Sequence, residues 1–281
     1  MGAIGYYNGT IGLSDEMQVP MNDRAVFFGD GCYEACFAVD GRLFGEAAHF
    51  DRFYRSLQAL RIPFSMPRAQ LKAEIDRVLQ ACGERSVSLY WQVSRATAPR
   101  QHTFPDGDAK PNLLITATPK AAVFDDAPMR LITVPDIRYG LCDVKTLNLI
   151  PNILAGQQAK EAGAHEAVFV RNDTVTEGSH TNIHILRDGV LFTHPTDRHI
   201  LAGVTRGIVL RLCRDFGIPI SETPFSREQL RNADEILVSS SLSGIHRVSV
   251  LDGEPVGGRA DTLYRAIEDA YYRTFSKEMQ L

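Results

Sequence analysis

A lysine and a glutamate are the two residues of this chain whose types and surroundings point most directly to chemistry. Lys145 lies in the stretch Cys-Asp-Val-Lys-Thr-Leu-Asn at 142–148, and Glu177 lies in Val-Thr-Glu-Gly-Ser at 175–179. A lysine amine in a partly apolar setting can form a Schiff base with an aldehyde. A nearby carboxylate can keep a pyridine nitrogen protonated, because an opposite charge favours the charged form. Together they provide what pyridoxal phosphate chemistry needs, although each alone is typical of an exposed surface residue.

A second group of residues could bind an anion. The segment 201–206, Leu-Ala-Gly-Val-Thr-Arg, opens a predicted helix whose first backbone N–H groups can bind phosphate, and Gly203 lets the backbone approach closely. Thr205 and the serine run at 239–241 add hydroxyl donors, and the planar guanidinium of Arg52 suits phosphate. Helix starts and serine runs are common, so each of these signals is weak by itself.

A short basic motif, Arg100-Gln-His102, could bind a carboxylate. In a strand or an extended loop, residues two apart face the same side, so both side chains can converge on one anion. A solvated basic turn is the alternative, since a three-residue pattern also arises by chance.

The amino-acid composition limits which class of protein this chain can belong to. The chain has 281 residues, of which 44% are hydrophobic and 23% charged, and its net charge is −4. These values are ordinary for a soluble globular protein and do not favour binding to nucleic acid or to an anionic membrane. No apolar run reaches membrane-spanning length, and the N-terminal sequence lacks the features of a signal peptide.

Neither a disulfide framework nor a metal site is expected. The five cysteines are irregularly spaced and include no Cys-x-x-Cys pair, which favours a reducing cytoplasm. His180 and His184 have metal-like spacing, but no glutamate follows the first histidine and the segment is strand-like. Gly29-x-Gly31 lacks the third glycine of a dinucleotide-binding fingerprint.

Strand and helix patterns are interspersed along the chain, which predicts an α/β (α+β) protein of two domains with mixed sheets and flanking helices. The predicted domains are 1–118 and 129–281, joined by a proline-bracketed linker at 119–128. Asp-Gly pairs at 40–41, 188–189 and 252–253 predict tight turns. Predicted helices cover 46–60, 67–82, 150–162, 203–216 and 260–275; predicted strands cover 32–39, 86–94, 112–118, 129–134, 166–170 and 234–240.

The order of these motifs resembles that of the fold-type IV, or class IV, pyridoxal phosphate aminotransferases, and most closely D-amino acid aminotransferases. The resemblance covers nearly the whole chain. Two positions depart from the family pattern: His184 replaces an aromatic residue, and Ser243-Gly244 replaces an acidic residue that often follows the serine run. The matching segments are 29–34, 49–52, 142–148, 177–182, 201–206 and 239–241.

The resemblance implies a role for each matching residue. Lys145 is the Schiff-base lysine and proton shuttle, and Glu177 pairs with the ring nitrogen. Arg52, Gly203, the backbone of Val204 and Thr205, and the Ser240-Ser241 hydroxyls hold the phosphate, while Leu201 packs on the ring. Tyr33, Arg100 and His102 form the carboxylate trap. The family is homodimeric, and the Arg-x-His loop reaches the active site of the neighbouring subunit.

The implied reaction moves an amino group from a D-amino acid to a 2-oxo acid such as pyruvate or 2-oxoglutarate. Alternatives within the resemblance are an (R)-amine transaminase, a branched-chain L-amino acid aminotransferase and an aminodeoxychorismate-lyase-like enzyme. The first two bind the carboxylate elsewhere, so Arg100 and His102 argue against them. A non-catalytic anion-binding module is a further alternative, but it needs neither Lys145 nor Glu177.

Overall fold

A computed structural model describes residues 2–122 and 127–281 of the chain. Two compact units are present: the first comprises Met1–Val123 with Val144–Asn148, and the second comprises Phe124–Asp143 with Leu149–Leu281. Each unit has its own sheet and its own hydrophobic core, as expected for a chain of this length.

The first unit is built on a six-stranded sheet with the order β2-β1-β6-β5-β3-β4. Every strand pair in this sheet is antiparallel, so the prediction of mixed sheets does not apply to this unit. Its elements are β1 (Ile4–Tyr7), β2 (Thr10–Leu13), a 3-10 turn (Ser14–Glu16), α1 (Arg24–Phe28), β3 (Gly31–Val39), β4 (Arg42–Leu43), α2 (Glu46–Ala59), α3 (Arg68–Cys82), β5 (Ser86–Ser94) and β6 (Asn112–Pro119).

Two helices cover this sheet. Helix α2 packs on β3, and α3 packs on β6 and β1. Helix α2 places Phe50, Phe53 and Leu57 at helical spacing on its buried face, where Trp91 of β5 meets the two phenylalanine rings edge-on. This packing fixes the face of α2 that also carries His49 and Arg52.

The second unit contains a mixed sheet, as predicted. The strand order is β12-β11-β10-β13-β14-β7-β8-β9, with β15 paired to β14; the pairs β11–β12, β14–β7 and β7–β8 are parallel. Its elements are β7 (Met129–Pro135), α4 (Ile150–Glu161), β8 (Glu166–Arg171), β9 (Thr174–Gly178), β10 (Asn182–Arg187), β11 (Val190–Thr193), α5 (Val204–Asp215), β12 (Ile220–Ser221), α6 (Arg227–Arg231), β13 (Glu235–Ser240), β14 (Gly244–Leu251), β15 (Glu254–Pro255) and α7 (Asp261–Met279).

The three Asp-Gly turns predicted from the sequence are confirmed. They connect β3 to β4, β10 to β11 and β14 to β15, each pair antiparallel. Both central residues of each turn have positive φ, between 48° and 84°. This is the backbone that a two-residue turn requires when its twist matches that of the flanking strands.

The lysine segment belongs to the first unit, although the predicted domain bounds place it in the second. The backbone of Lys145 accepts a hydrogen bond from the N–H of Tyr33, and the N–H of Leu147 donates to Gly31. A Cβ on Gly31 would meet the carbonyl oxygen of Val93 at 2.4 Å and a methyl of Leu147 at 2.7 Å, so this position requires glycine. The segment is thus held against the edge of β3 by its backbone.

Pro119 is the last residue of β6 rather than the start of a linker. Residues 123–126 of the predicted linker lie outside the described residues, and the domain bounds remain a prediction. Among the helices of the described residues, none combines the length and the apolar character needed to cross a membrane.

Candidate active site

Lys145 presents a half-buried amine in the first unit. Its Nζ lies 4.2 Å from the centre of the Tyr33 ring, and its backbone N–H donates to Ser56 Oγ at 3.3 Å. Within residues 2–122 and 127–281, the amine makes no hydrogen bond and no ion pair. An amine with an aromatic neighbour and no counter-ion is available to react, as the sequence interpretation requires.

Tyr33 is held by a second tyrosine. The Tyr33 ring stacks on Tyr90 with centroids 5.3 Å apart, and the hydroxyl of Tyr90 donates to Gln92 Oε1 at 2.6 Å. Tyr33 and Lys145 are therefore brought together, and the ring of Tyr33 has little freedom to move away from the amine.

Arg52 is fixed by a buried carboxylate that the sequence interpretation did not identify. Its Nε and Nη2 each donate at 2.7 Å to Glu34, one bond to each oxygen, and His49 Nδ1 also bonds Glu34 at 2.7 Å. Burial raises the pKa of Glu34, but the Arg52 and His49 side chains outweigh it and lower that pKa to about 2. Burial lowers the pKa of His49, so its imidazole is neutral near pH 7.

Replacing Glu34 with glutamine should destabilise the protein. The change leaves the buried Arg52 charge uncompensated, and breaking a buried pair in this way costs about 3–5 kcal/mol. Because the pKa of Glu34 is lowered from 4.5 to about 2, its stabilising effect is fully present above pH 4.5 and is lost as the pH falls towards 2.

Urea unfolding at several pH values measures this effect. Asp76→Asn removes the ion pair between Lys72 and Asp76 on α3, whose side chains are 25% and 49% exposed, and should change the free energy of unfolding by less than about 1 kcal/mol. An equal effect of the two substitutions would contradict a stabilising role for the buried pair.

Arg100 and His102 lie in an irregular loop that follows β5, and both side chains are exposed. They meet at one ring: Arg100 Cζ lies 5.2 Å from the centre of Phe28, and the His102 ring lies 5.5 Å from it. Arg24 donates to the carbonyl of Gln101 at 2.7 Å, which anchors the loop between the two residues. Both side chains thus lie beside the Phe28 ring, and their convergence on one carboxylate remains a prediction.

Glu177 lies in strand β9 of the second unit and is buried, unlike the exposed turn carboxylate that its local sequence alone would predict. Its Oε2 accepts hydrogen bonds from Asn182 Nδ2 at 3.1 Å and from the backbone N–H of Leu201 at 2.9 Å, and its Oε1 accepts from Arg138 Nη1. Three donors therefore fix both oxygens of the carboxylate.

Arg138 is a residue that the sequence interpretation missed. Besides Glu177, it bonds both oxygens of Asp136, and its Nη2 donates to the carbonyl of His199 at 3.0 Å. Burial works against the charged form of Asp136, but the hydrogen bonds from Arg138 lower the pKa of Asp136 to about 2. The two carboxylates hold the pKa of Arg138 above its ordinary value despite burial, so Arg138 is a permanent cation beside Glu177.

Helix α5 begins at Val204 with Gly203 as its N-cap, and no side chain caps its first turn. The N–H groups of Val204 and Thr205 therefore lie at an uncapped helix start, the arrangement that binds phosphate. A Cβ on Gly203 would lie 2.0 Å from Oδ1 of Asn182, so glycine is needed here for packing against Asn182. From the sequence, this glycine was expected to let the backbone come close to a phosphate group.

Other predicted residues of the second unit lie near these elements. The Leu201 carbonyl accepts from Asn182 Nδ2 at 2.9 Å, which links this residue to Glu177. Ser240 ends β13, and its hydroxyl bonds Ser243 Oγ at 2.6 Å; Ser241 is half-buried in the turn that follows.

The two departures from the family pattern have local explanations. His184 is fully buried in β10 and its Nε2 bonds Ser239 Oγ at 2.9 Å; burial, with Arg206 nearby, lowers the pKa of His184 to about 3, so it packs as a neutral ring. Ser243 bonds Ser240, and Gly244 has φ of 77°, which allows the turn into β14.

These groups fit pyridoxal phosphate. Lys145 offers an amine that has no counter-ion in residues 2–122 and 127–281, Glu177 offers an immobilised carboxylate, and α5 offers an uncapped N-terminus. The reactive amine, the partner for a ring nitrogen and the phosphate donors are thus all among the described residues.

Comparison with known proteins agrees with this chemistry. The model of the family "Amino-transferase class IV" matches residues 31–251. A D-alanine aminotransferase of Staphylococcus haemolyticus is 36% identical over 269 residues, which cover 95% of each chain. The structure of a branched-chain amino acid aminotransferase from Escherichia coli superposes with a TM-score of 0.89 at 23% identity, covering 99% of this chain and 96% of that one.

A third relative was solved with a cofactor derivative. The T.th. branched-chain amino acid aminotransferase, complexed with N-(5'-phosphopyridoxyl)-L-glutamate, has a TM-score of 0.85 and 25% identity, with 96% of this chain and 93% of that chain covered. The family model spans most of the chain and the Staphylococcus haemolyticus relative matches it almost end to end. The chain therefore belongs to the class IV aminotransferases, which use pyridoxal phosphate.

Proposed function

We propose that the chain transfers the amino group of a D-amino acid to a 2-oxo acid such as pyruvate or 2-oxoglutarate. The observation that carries this proposal is the placement of Arg100 and His102 beside the ring of Phe28, at 5.2 Å and 5.5 Å from its centre, as two exposed donors for an α-carboxylate. The name of the Staphylococcus haemolyticus relative supports it. The branched-chain relatives are less similar, at 23–25% identity, and support mainly the fold.

The roles of the residues follow from their chemistry. When bound, pyridoxal phosphate supplies an aldehyde for the donor amine and a ring that accepts the electrons of the broken Cα–H bond. Lys145 Nζ is the amine that would hold the cofactor covalently, and as a free amine it would take the proton from Cα of the donor and deliver a proton to the cofactor carbon. Tyr33 limits the positions of this amine, because its ring lies 4.2 Å away.

Phosphate binding is assigned to the start of α5 and to polar side chains. The N–H groups of Val204 and Thr205 point out of an uncapped helix start, and Ser240 and Ser241 add hydroxyls at the end of β13. We include Arg52 because its guanidinium carries five N–H donors and Glu34 fixes its plane. Leu201 is assigned to packing against the ring.

Glu177 is proposed to keep the ring nitrogen protonated, with Arg138 as a positioning residue. Glu177→Gln should lower kcat by about tenfold while the cofactor stays bound, because a hydrogen bond to a charged group contributes about 1–2 kcal/mol more than a neutral one. Single-turnover rates and the absorbance of the bound cofactor measure the two effects separately.

Glu177→Asp keeps the charge and is the matched control for this experiment. It should retain more of the single-turnover rate than Glu177→Gln does. Half-reaction rates of Glu177→Gln equal to those of the wild type would show that Glu177 does not serve the ring nitrogen.

A donor screen tests the proposed function. D-alanine, L-alanine, L-leucine and (R)-1-phenylethylamine are each offered with 2-oxoglutarate, and D-alanine should give the highest kcat/KM. Preference for L-leucine or for the amine would favour the corresponding alternative enzyme, and a cofactor-loaded protein that transfers the amino group of none of the four donors would favour a lyase. A colourless protein without any turnover would favour an anion-binding module.

We also propose that the enzyme is a cytoplasmic homodimer. Helix α4 exposes three large apolar side chains at helical spacing, Ile150, Ile153 and Leu154, each between 57% and 66% exposed. A second copy would cover this stripe. All five cysteines are free thiols, which supports a reducing compartment.

Sedimentation tests the dimer. The wild type should sediment as a dimer, and Ile153→Glu with Leu154→Glu should shift it towards a monomer, because each charge would be buried in the interface. Glu161→Gln, at the end of the same helix, is the control. An active wild-type monomer would contradict the proposal.

A further inference from the structure

A loop with two histidines connects β11 to α5, and residues 194–199 of this loop precede Leu201 and Gly203, which are assigned above. His194 follows directly after β11 and is buried, while Asp197 and His199 are partly exposed, with side chains 42% and 38% accessible. One ring nitrogen of each histidine and one carboxylate oxygen of Asp197 lie within 4.8 Å of one another. We propose that these three side chains bind a divalent transition-metal ion such as Zn²⁺.

The distances are close to those of a coordinated ion. His199 Nδ1 lies 3.1 Å from Asp197 Oδ2, and His194 Nδ1 lies 3.8 Å from Asp197 Oδ1. Tetrahedral zinc with bonds of about 2.0–2.1 Å has ligand atoms roughly 3.4 Å apart. Small movements of the two exposed side chains therefore bring all three ligands onto one ion, with a fourth position left for water.

The loop is ordered before any ion binds. His194 Nδ1, the ring nitrogen that lies 3.8 Å from Asp197, also lies 2.8 Å from the carbonyl oxygen of Pro195, and an ion would take the place of the proton on this nitrogen. The carbonyl of His194 in turn accepts from the buried Arg206 at 2.9 Å. The position of His194 is thus fixed before an ion binds, and the side chains of Asp197 and His199 can move to coordinate the ion.

Charge and ligand type select the ion. Asp197 contributes an anionic carboxylate to the cluster, and its Oδ1 also accepts the backbone N–H of His199 at 2.8 Å. Two imidazoles with one carboxylate suit Zn²⁺, Co²⁺ or Ni²⁺, whereas Mg²⁺ and Ca²⁺ prefer oxygen ligands. The carbonyl of His199 also accepts from Arg138, so the ion would stiffen the loop that supports this arginine.

Titration with Co²⁺ tests the proposal on the tag-free holoenzyme after chelator treatment. The expected result is saturable binding of one ion with visible d–d absorption, displaced by Zn²⁺, and a higher melting temperature. Asp197→Asn with His199→Gln should weaken Co²⁺ binding by at least ~10-fold, since even loss of a supporting residue weakens metal binding by about 10–100-fold. His165→Gln, an exposed histidine outside the cluster, should bind as the wild type does.

Circular dichroism of the metal-free variants shows whether they are folded, and Asp197→Asn alone replaces the double variant if that one is not. Absence of saturable binding, or equal affinity in wild type and in the cluster variant, would overturn the site. Equal losses in the His165→Gln control would overturn it as well. Every readout is independent of turnover, so the result stands whether or not the proposed transamination is correct.

Discussion

Lys145→Ala should reduce kcat for transamination by about 10²–10⁴-fold, the range that a positioned proton-transferring group contributes. The substitution removes the amine that is proposed both to anchor the cofactor and to act as the base on Cα. Its neighbours should be little affected, because Lys145 meets the first unit through backbone hydrogen bonds that alanine retains and its amine contacts only the Tyr33 ring among the described residues. Steady-state and single-turnover kinetics with D-alanine measure the loss.

Lys160→Ala is the matched control, since Lys160 is exposed on α4. It should keep wild-type rates. An added small primary amine should restore part of the activity of Lys145→Ala, because it replaces the missing base. In the wild type, borohydride reduction and peptide mass spectrometry should find the pyridoxyl group on Lys145. A label on Lys120 or Lys160 would disprove the assignment.

The local patterns of the sequence predict most of the elements that carry these residues. Asp-Gly pairs require positive φ at both turn positions, so three hairpins could be placed to the residue. The apolar spacing of Phe50, Phe53 and Leu57 identifies both the helix and its buried face. Short strands such as β4, β12 and β15 could not be found in this way, because two residues carry no periodicity.

The supporting partners of the candidate site could not be predicted, because they are distant in sequence. Arg138 and Glu177 are 39 residues apart, and Glu34 and Arg52 are 18 apart, with no periodic pattern joining either pair. Only the tertiary fold brings the two members of each pair together. A buried ion pair of this kind could be suspected from a charged residue inside an otherwise apolar strand, as Glu34 is in β3.

The sequence identified Gly203 as a position that needs glycine, but not the structural reason for it. Gly203 was expected to admit a phosphate, yet the atom that a side chain there would meet is Oδ1 of Asn182. Asn182 in turn bonds Glu177 and the Leu201 carbonyl. The glycine therefore serves the position of the carboxylate, which is a tertiary relation that no local pattern contains.

Arg100→Ala should lower kcat/KM for D-alanine by at least ~30-fold, since losing one partner of a desolvated charge pair costs about 2–5 kcal/mol and 1.4 kcal/mol is tenfold. A donor without a carboxylate, (R)-1-phenylethylamine, should lose much less or gain. Arg100 is available to bind a substrate carboxylate, because its side chain is exposed and makes no ion pair with a carboxylate of the described residues. His102→Ala should have a smaller effect, because an imidazole lacks the two-pronged donor of a guanidinium.

The decisive quantity is the ratio of D-alanine activity to (R)-1-phenylethylamine activity in the wild type and in Arg100→Ala. Gln101→Ala is the control, since it lies between the two basic residues and keeps the backbone carbonyl that binds Arg24. Its ratio should equal that of the wild type, whereas the ratio of Arg100→Ala should fall. If Arg100→Ala and Gln101→Ala give the same ratio, Arg100 does not bind the α-carboxylate and the loop contributes to activity only through its backbone. The preference for D-amino acids must then come from residues elsewhere in the chain.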